Sequence, residues 1–173
     1  MELRLAREQE FLQVRGLYWD IIDQMARAEY RPGWKKGIYP SDQWIRAALR
    51  EGSLYTAREG AALIGAMALD HRCAEGYDRA AWGVDAAGGA VSVIHALGVL
   101  PAWQGRGAGK LLVRGALETA RQNGQRAVRL DVLGTNLTAQ KLYERVGFQY
   151  RGTLQLYYED TGLTDFRLYE YIL

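Results

Sequence analysis

Apolar positions change their period several times along the chain, and each change marks an element. Leu3 and Leu5 alternate with Arg4, which is the period of a short strand. Over residues 8–27, Phe11, Val14, Leu17, Tyr18, Ile21, Ile22 and Met25 recur at helical spacing and predict an amphipathic helix. Residues 30–34 and 38–40 form an aromatic loop. Ser41 is placed to cap a short helix over 42–50 that Gly52 ends. Residues 53–58 and 62–69 predict strands joined at Glu59-Gly60 as a hairpin. The polar stretch 71–89 predicts a surface loop with room for the start of another strand. Residues 91–99 are a β-branched run and predict a buried central strand. A Gly-rich turn over 104–109 leads into a helix over 110–123, with Leu112, Gly115, Ala116, Thr119 and Ala120 on one face and Gly124 as its stop. Residues 127–133 predict the next strand. Asn136 then precedes a helix with Ala139, Leu142, Tyr143 and Val146 on one face, closed by Gly147. Residues 148–158 and 166–173 predict two closing antiparallel strands.

Strand–helix alternation gives α/β units, whereas the hairpins require antiparallel pairing. The predicted class is therefore α/β with α+β character: a mixed, mostly antiparallel central sheet with helices on both faces. A length of 173 residues suits a single domain over 1–173. With 49% hydrophobic and 24% charged residues, global disorder is excluded. Lys and Arg number 22 against 20 Asp and Glu, with no basic stripe, so no nucleic-acid partner is expected. One cysteine and two histidines exclude a disulfide framework and a Cys-rich zinc site, and no metal is expected. No stretch approaches the roughly 20 apolar residues of a membrane helix. The N-terminus has no signal-peptide core, so a cytoplasmic protein without membrane partners is expected.

The densest chemical signal is Val99-Leu-Pro-Ala-Trp-Gln-Gly-Arg-Gly-Ala-Gly-Lys110. A strand ends, glycines follow at alternate positions, and a helix begins. Converging backbone N–H groups and the positive end of a helix dipole make an anion cradle, to which Arg106 and Lys110 add charge. The expected ligand is a phosphate or pyrophosphate. A nucleotide P-loop would need glycine where Gln104 stands and a hydroxyl where Leu111 stands. The dinucleotide fingerprint would need glycine in place of Lys110.

Gln104-Gly-Arg-Gly-Ala-Gly resembles the Gln/Arg-x-x-Gly-x-Gly/Ala signature of the GCN5-related N-acetyltransferases (GNAT). Leu97-Gly-Val-Leu-Pro101 before it, and Asn136, Ala139, Leu142-Tyr143 and Gly147-Phe148 after it, extend the resemblance over about residues 94–152. The resemblance implies the GNAT fold, with splayed central strands, and acetyl-CoA as acetyl donor. Its pyrophosphate would lie on the turn formed by Gln104, Gly105, Arg106, Gly107, Ala108, Gly109 and Lys110. Its pantetheine arm would pair with the backbone of Leu97, Gly98 and Val99. Asn136 would contact the cofactor, and Tyr143 would contact it and act as general acid. The implied acceptor is a primary amine of a small molecule or peptide, and the family is compatible with a homodimer.

Amine acetylation must remove a proton from an ammonium of pKa about 10 and supply one to a thiolate. His95 is the base candidate, since imidazole ordinarily titrates near neutrality. At period two its side chain would share a face with Leu97 and Val99. The segment from His95 to Val99 is similar to the strand that carries a histidine base in one branch of the family. That branch's second histidine is replaced here by Val93. Asp131 and Glu170 are alternative bases acting through water. Tyr30, Trp34, Tyr39, Trp82, Tyr157 and Tyr158 are candidates for an aromatic acceptor pocket, and Glu29, Asp42, Glu75 and Asp78 for holding an ammonium. The non-enzymatic alternative is a coenzyme A-binding sensor, which needs the cradle but not Tyr143.

Overall fold

A computed structural model describes residues 1–173. Strand β1 (Glu2–Leu5) leads into helix α1 (Phe11–Met25), and α2 (Asp42–Arg50) follows the aromatic loop. Then come β2 (Leu54–Glu59), β3 (Ala62–Asp70), β4 (Val91–Val99), α3 (Ala108–Gln122), β5 (Ala127–Leu133), α4 (Leu137–Val146), β6 (Gln149–Tyr158) and β7 (Gly162–Ile172). The sequence of elements matches the periodicity. Ser41 caps α2 as expected, its Oγ accepting from the Trp44 amide at 3.1 Å. A short 3-10 turn, Glu8–Glu10, precedes α1. There the Glu10 carboxylate accepts from the Arg7 amide at 2.9 Å and pairs with Arg4 and Arg58.

Three boundaries differ from the periodicity. Helix α1 ends at Met25, because the Ala26 and Ala28 amides bond three residues back and turn the chain out of the helix. Helix α3 begins at Ala108 rather than at 110, with Gly107 as its N-cap. Gly109 stands in the first turn, where an added methyl would lie 2.9 Å from Leu142 Cδ2. Strand β7 begins at Gly162 rather than at 166, since Gly162, Leu163 and Thr164 pair with Tyr158, Tyr157 and Leu156 across a tight turn. The residues from 71 to 90 carry no strand, only the 3-10 turns Tyr77–Arg79 and Gly88–Ala90.

The sheet has seven strands in the order β1-β2-β3-β4-β5-β7-β6. Every neighbouring pair is antiparallel except β4–β5. One face is covered by α3 and α4, whose Leu112, Val113, Ala116, Ala120 and Tyr143 pack on Ile94, Val128 and Leu130. The other is covered by α1 and α2, where Val14, Tyr18, Ile21 and Ile45 pack on Ala66, Ala68 and Ala96. No helix is long and apolar enough to cross a membrane.

Two irregularities in β4 shape everything that follows. Its parallel pairing with β5 runs only from Val91↔Ala127 to Val93↔Arg129, after which the strands splay apart. On its other side the register with β3 shifts by one residue between Ala68↔His95 and Ala66↔Gly98. This bulge places Ala96 at φ 48°, the left-handed region that a side chain rarely adopts. Such a conformation persists where surrounding contacts enforce it. Here the buried Tyr18 hydroxyl donates to the Ala96 carbonyl at 2.9 Å.

Candidate active site

The splay opens a cleft with a cavity of about 100 Å³. Asn136, Ala139 and Tyr143 line it from the α4 side, and Pro32, Trp34 and Tyr39 from the α1 side. His95, Leu97 and Asp131 line it from the strands, and Tyr158, Asp160 and Thr161 from the β6–β7 hairpin.

The bulge corrects the expected face of His95. Ile94 and Val99 sit in the α3 core with Leu97 packed against it, whereas His95 stands opposite Ala68, which belongs to the α1 core. The extra residue reverses the alternation, so His95 points away from Leu97 and Val99 and toward the α1 side of the cleft. There its Nε2 lies 3.0 Å from Oδ1 of Asp70, at the end of β3. Burial alone would raise the Asp70 carboxyl. The hydrogen bond and charge of His95, with the Arg72 amide and guanidinium, outweigh it and hold Asp70 below the usual carboxylate value. A carboxylate at Nε2 favours the tautomer with its proton there, leaving Nδ1 as the acceptor nitrogen.

The two alternative bases separate. Glu170 is fully buried and pairs with Arg129 and Arg151, each at 3.0 Å, while also accepting from the Gly83 amide at 2.6 Å. That carboxylate is committed to ion pairing and does not line the cleft, which removes it as a base. Arg129 also donates to the Val84 and Ala86 carbonyls, so the cluster ties the 71–90 loop to the sheet. Asp131 does line the cleft. Its Oδ2 accepts from the hydroxyls of Tyr77 at 2.5 Å and Tyr158 at 3.0 Å. Burial raises its carboxyl above the ordinary range, and the two phenols and nearby His95 oppose this only in part.

Tyr143 is 5% exposed, with its ring against Phe148 and Tyr169. Burial, helped by the charge of Asp131, pushes its phenol well above the usual tyrosine value, so the hydroxyl is protonated at neutral pH. The register of α4 beneath it is set locally. Asn136 Oδ1 caps the helix through the Ala139 amide at 3.3 Å, and the buried Gln140 donates to the carbonyls of Leu133 and Gly134.

At the start of α3, the amides of Gly105, Gly107, Ala108, Gly109 and Lys110 donate to no protein atom, whereas Gln104 and Arg106 bond back into the preceding turn. Gly107 has φ 97°, which aims these amides outward. Gly109 serves packing instead, since a methyl there would lie 2.9 Å from Leu142 Cδ2. Arg106 stacks over the Trp103 ring at 4.4 Å. The Gln104 side chain donates to the Val99 carbonyl at 3.1 Å, and the Leu100 amide bonds Ile64 of the β2–β3 hairpin at 2.9 Å. Counting back from that bond by alternation, Gly98 addresses β3, while the backbone of Leu97 and Val99 addresses the open side. Gly98 itself allows close approach: a methyl there would meet Ile21 at 2.9 Å and Trp34 at 3.0 Å.

Of the aromatic candidates, Trp34, Tyr39 and Tyr158 meet in the cleft. Tyr157 is 71% exposed, and Trp82 packs on Tyr77 and under Arg129. Neither these two nor Tyr30 lines the cleft. None of Glu29, Asp42, Glu75 and Asp78 does either, and Asp42 pairs with Arg15 at 3.2 Å. The acidic residues present are Asp131 and Asp160, with Asp70 behind His95. Asp70 and Asp160 lie outside the candidates that the sequence offers. A faint signal for Asp70 was a carboxylate directly ending an apolar strand; Asp160 had none beyond a turn composition.

Comparison with known proteins agrees with this architecture. Among solved structures, a GNAT-family acetyltransferase from Streptococcus agalactiae superposes with a TM-score of 0.83 at 22% identity, covering 99% of this chain and 95% of that one. The protein yncA from Salmonella typhimurium, solved with its cofactor acetyl-CoA, gives a TM-score of 0.68 at 17% identity, covering 100% and 94%. In sequence, the N-alpha-acetyltransferase RimI of Mycobacterium tuberculosis is 44% identical over 69 residues, which are 40% of this chain and 42% of that protein. The curated relatives are thus matched over less than half of their length. The profile of the acetyltransferase (GNAT) family matches residues 19–148, from within α1 to the end of α4, and so takes in both the splayed strands and the turn at Gly107. On that match, and on a fold shared along the whole chain, this protein belongs to the GNAT acetyltransferase family.

Proposed function

We propose that residues 1–173 form one acetyltransferase domain that moves an acetyl group from acetyl-CoA to a primary amine of a small molecule or peptide by direct attack. The observation that carries this reading is the meeting of Tyr143 and the His95–Asp70 pair in one cleft between the splayed strands. The donor's pyrophosphate is assigned to the unpartnered amides of Gly105, Gly107, Ala108, Gly109 and Lys110, with the Arg106 and Lys110 side chains supplying charge. Its amide-bearing arm is assigned to the open backbone of Leu97 and the amide of Val99, the Val99 carbonyl being held by Gln104. Gly98 contributes by the side chain it lacks.

In the reaction the acceptor ammonium gives a proton to Nδ1 of His95. The freed amine attacks the thioester carbonyl carbon, and the new C–N bond forms as the C–S bond breaks. Tyr143 donates its hydroxyl proton to the departing sulfur, and the second proton on the acylated nitrogen passes through solvent to the Tyr143 phenolate, restoring the phenol and leaving the neutral amide. Asp70 acts as a positioning residue, holding the His95 tautomer and favouring the imidazolium that forms. General acid and general base contributions are each typically about 10²–10⁴-fold. Two relatives named as N-acetyltransferases, one of them for a ribosomal-protein alanine, support an amine acceptor without choosing one.

The test is thiol release from acetyl-CoA with a panel of amines and peptide N-termini. His95→Gln lowers kcat by about 10²–10⁴-fold, the scale of a general base. Asp70→Asn lowers kcat less and leaves the KM for acetyl-CoA unchanged, as a positioning residue should. Binding of coenzyme A without thiol release for any amine would leave a sensor instead.

A further inference from the structure

On the α1 side of the cleft stands a carboxylate that neither the fold nor the proposed chemistry uses. Asp160, in the turn between β6 and β7, is 4% exposed and lines the cleft. It forms no ion pair, and no side-chain donor reaches it. Burial raises the carboxyl above its usual value, outweighing the amides of its own turn and the charge of Lys35, which favour the ionised form. Buried carboxylates are ordinarily paired. Lys35, the nearest cation to act on Asp160, is solvent-exposed and does not pair with it.

The surroundings point to a ligand of one charge. The cleft lining includes Asp131 and Asp160 but no lysine or arginine. Asp131 already receives two phenol hydroxyls and lies near His95, toward the reacting end. Asp160 shares the cleft wall with Pro32, Trp34 and Thr161, where Gly33 brings the aromatic loop against Thr161. Trp34 and Tyr39 line the same cleft, Tyr39 close enough for the Asp160 charge to act on it, and aromatic rings next to a carboxylate suit a cation.

We propose that the acceptor carries two positive charges: the ammonium to be acetylated, near Asp131 and His95, and a second cation that Asp160 binds against the Trp34 and Tyr39 rings. This deepens the acetyl-transfer reading and rests on it. The shared chemistry is a primary amine with a second cationic group, found both in a diamine and in a peptide N-terminus followed by a lysine.

The experiment compares diaminobutane with butylamine, and Ala-Lys amide with Ala-Ala amide. Each is titrated calorimetrically into the protein saturated with coenzyme A, and each is assayed for thiol release from acetyl-CoA. In the wild type the dication of at least one pair is favoured by about 10- to 100-fold, the scale of a hydrogen-bonded charge, and the favoured pair tells small molecule from peptide. Asp160→Asn and Asp160→Ser remove that preference and leave the monocation unchanged. Equal treatment of dication and monocation by the wild type overturns the proposal, as does a preference that survives in either variant. Asp160-dependent binding with no thiol release from any amine supports the cation site and refutes the transfer reading, so the two failures are distinguishable.

Discussion

Removing one buried hydroxyl tests whether the β4 bulge is enforced from α1. Tyr18 is 0% exposed, and its hydroxyl donates to the Ala96 carbonyl at 2.9 Å. Tyr18→Phe keeps the ring, its edge-to-face contact with Trp34 and its apolar burial. What is lost is the partner of a carbonyl in the protein interior, which costs about 1–3 kcal/mol. Ala96, at φ 48°, already stores about 1–2 kcal/mol of left-handed strain that this bond helps to hold. A loss of about 2 kcal/mol in a chain of this size lowers Tm by about 4–8 °C. Differential scanning calorimetry reads this directly. The same variant weakens acetyl-CoA binding, because the bulge decides that Leu97 and Val99 address the open side of β4. Ala96→Gly in the Tyr18→Phe background relieves the strain and recovers part of the loss. A Tm within about 1 °C of wild type, with donor affinity unchanged, would mean that the β3 ladder alone sustains the bulge, and the reasoning would fail.

Two further perturbations address the cradle and the loop clamp. Gly107→Val has room for its side chain, the nearest atom to an added methyl being Met1 Cε at 3.6 Å, so its effect comes from φ 97°. About 1–2 kcal/mol of backbone strain turns the amides away, and the Tm increase that coenzyme A gives the wild type is lost; an undiminished increase refutes the cradle. Glu170→Gln leaves Arg129, itself 5% exposed by side chain, without its counter-charge, and costs about 3 kcal/mol of stability by urea unfolding. A loss below about 1 kcal/mol would mean that the carbonyls of Val84 and Ala86 suffice to hold that guanidinium.

Much of this fold was legible because its signals are local. Ser41 and Asn136 cap helices through their own side chains, and the glycines at 105 and 107 take the left-handed conformations that their turn needs. The proposed donor half of the site can be read from sequence for the same reason: the turn over 104–110, Asn136 and Tyr143 lie in short contiguous motifs. The acceptor half was not, because distant strands assemble it. An alanine at positive φ leaves no mark in sequence, so period two carried His95 to the wrong face. Asp70 reaches His95 only through antiparallel register between β3 and β4. Glu170 looked free as a base because its partners Arg129 and Arg151 come from β5 and β6. The early start of β7 was hidden by Thr164 and Asp165, polar residues on an exposed hairpin whose pairing is long-range.

In the proposed reaction the splayed cleft joins a proton donor for sulfur to a base for the amine. Tyr143→Phe tests it most directly, since the hydroxyl has no partner in the protein and its removal leaves no unpaired group behind. With acetyl-CoA saturating and the amine at high pH, so that its deprotonation is not limiting, single-turnover thiol release should fall by about 100-fold. Acetyl-CoA affinity, measured by calorimetry, and Tm should stay close to wild type. A single-turnover rate equal to wild type would leave Tyr143 as a core aromatic and contradict the mechanism.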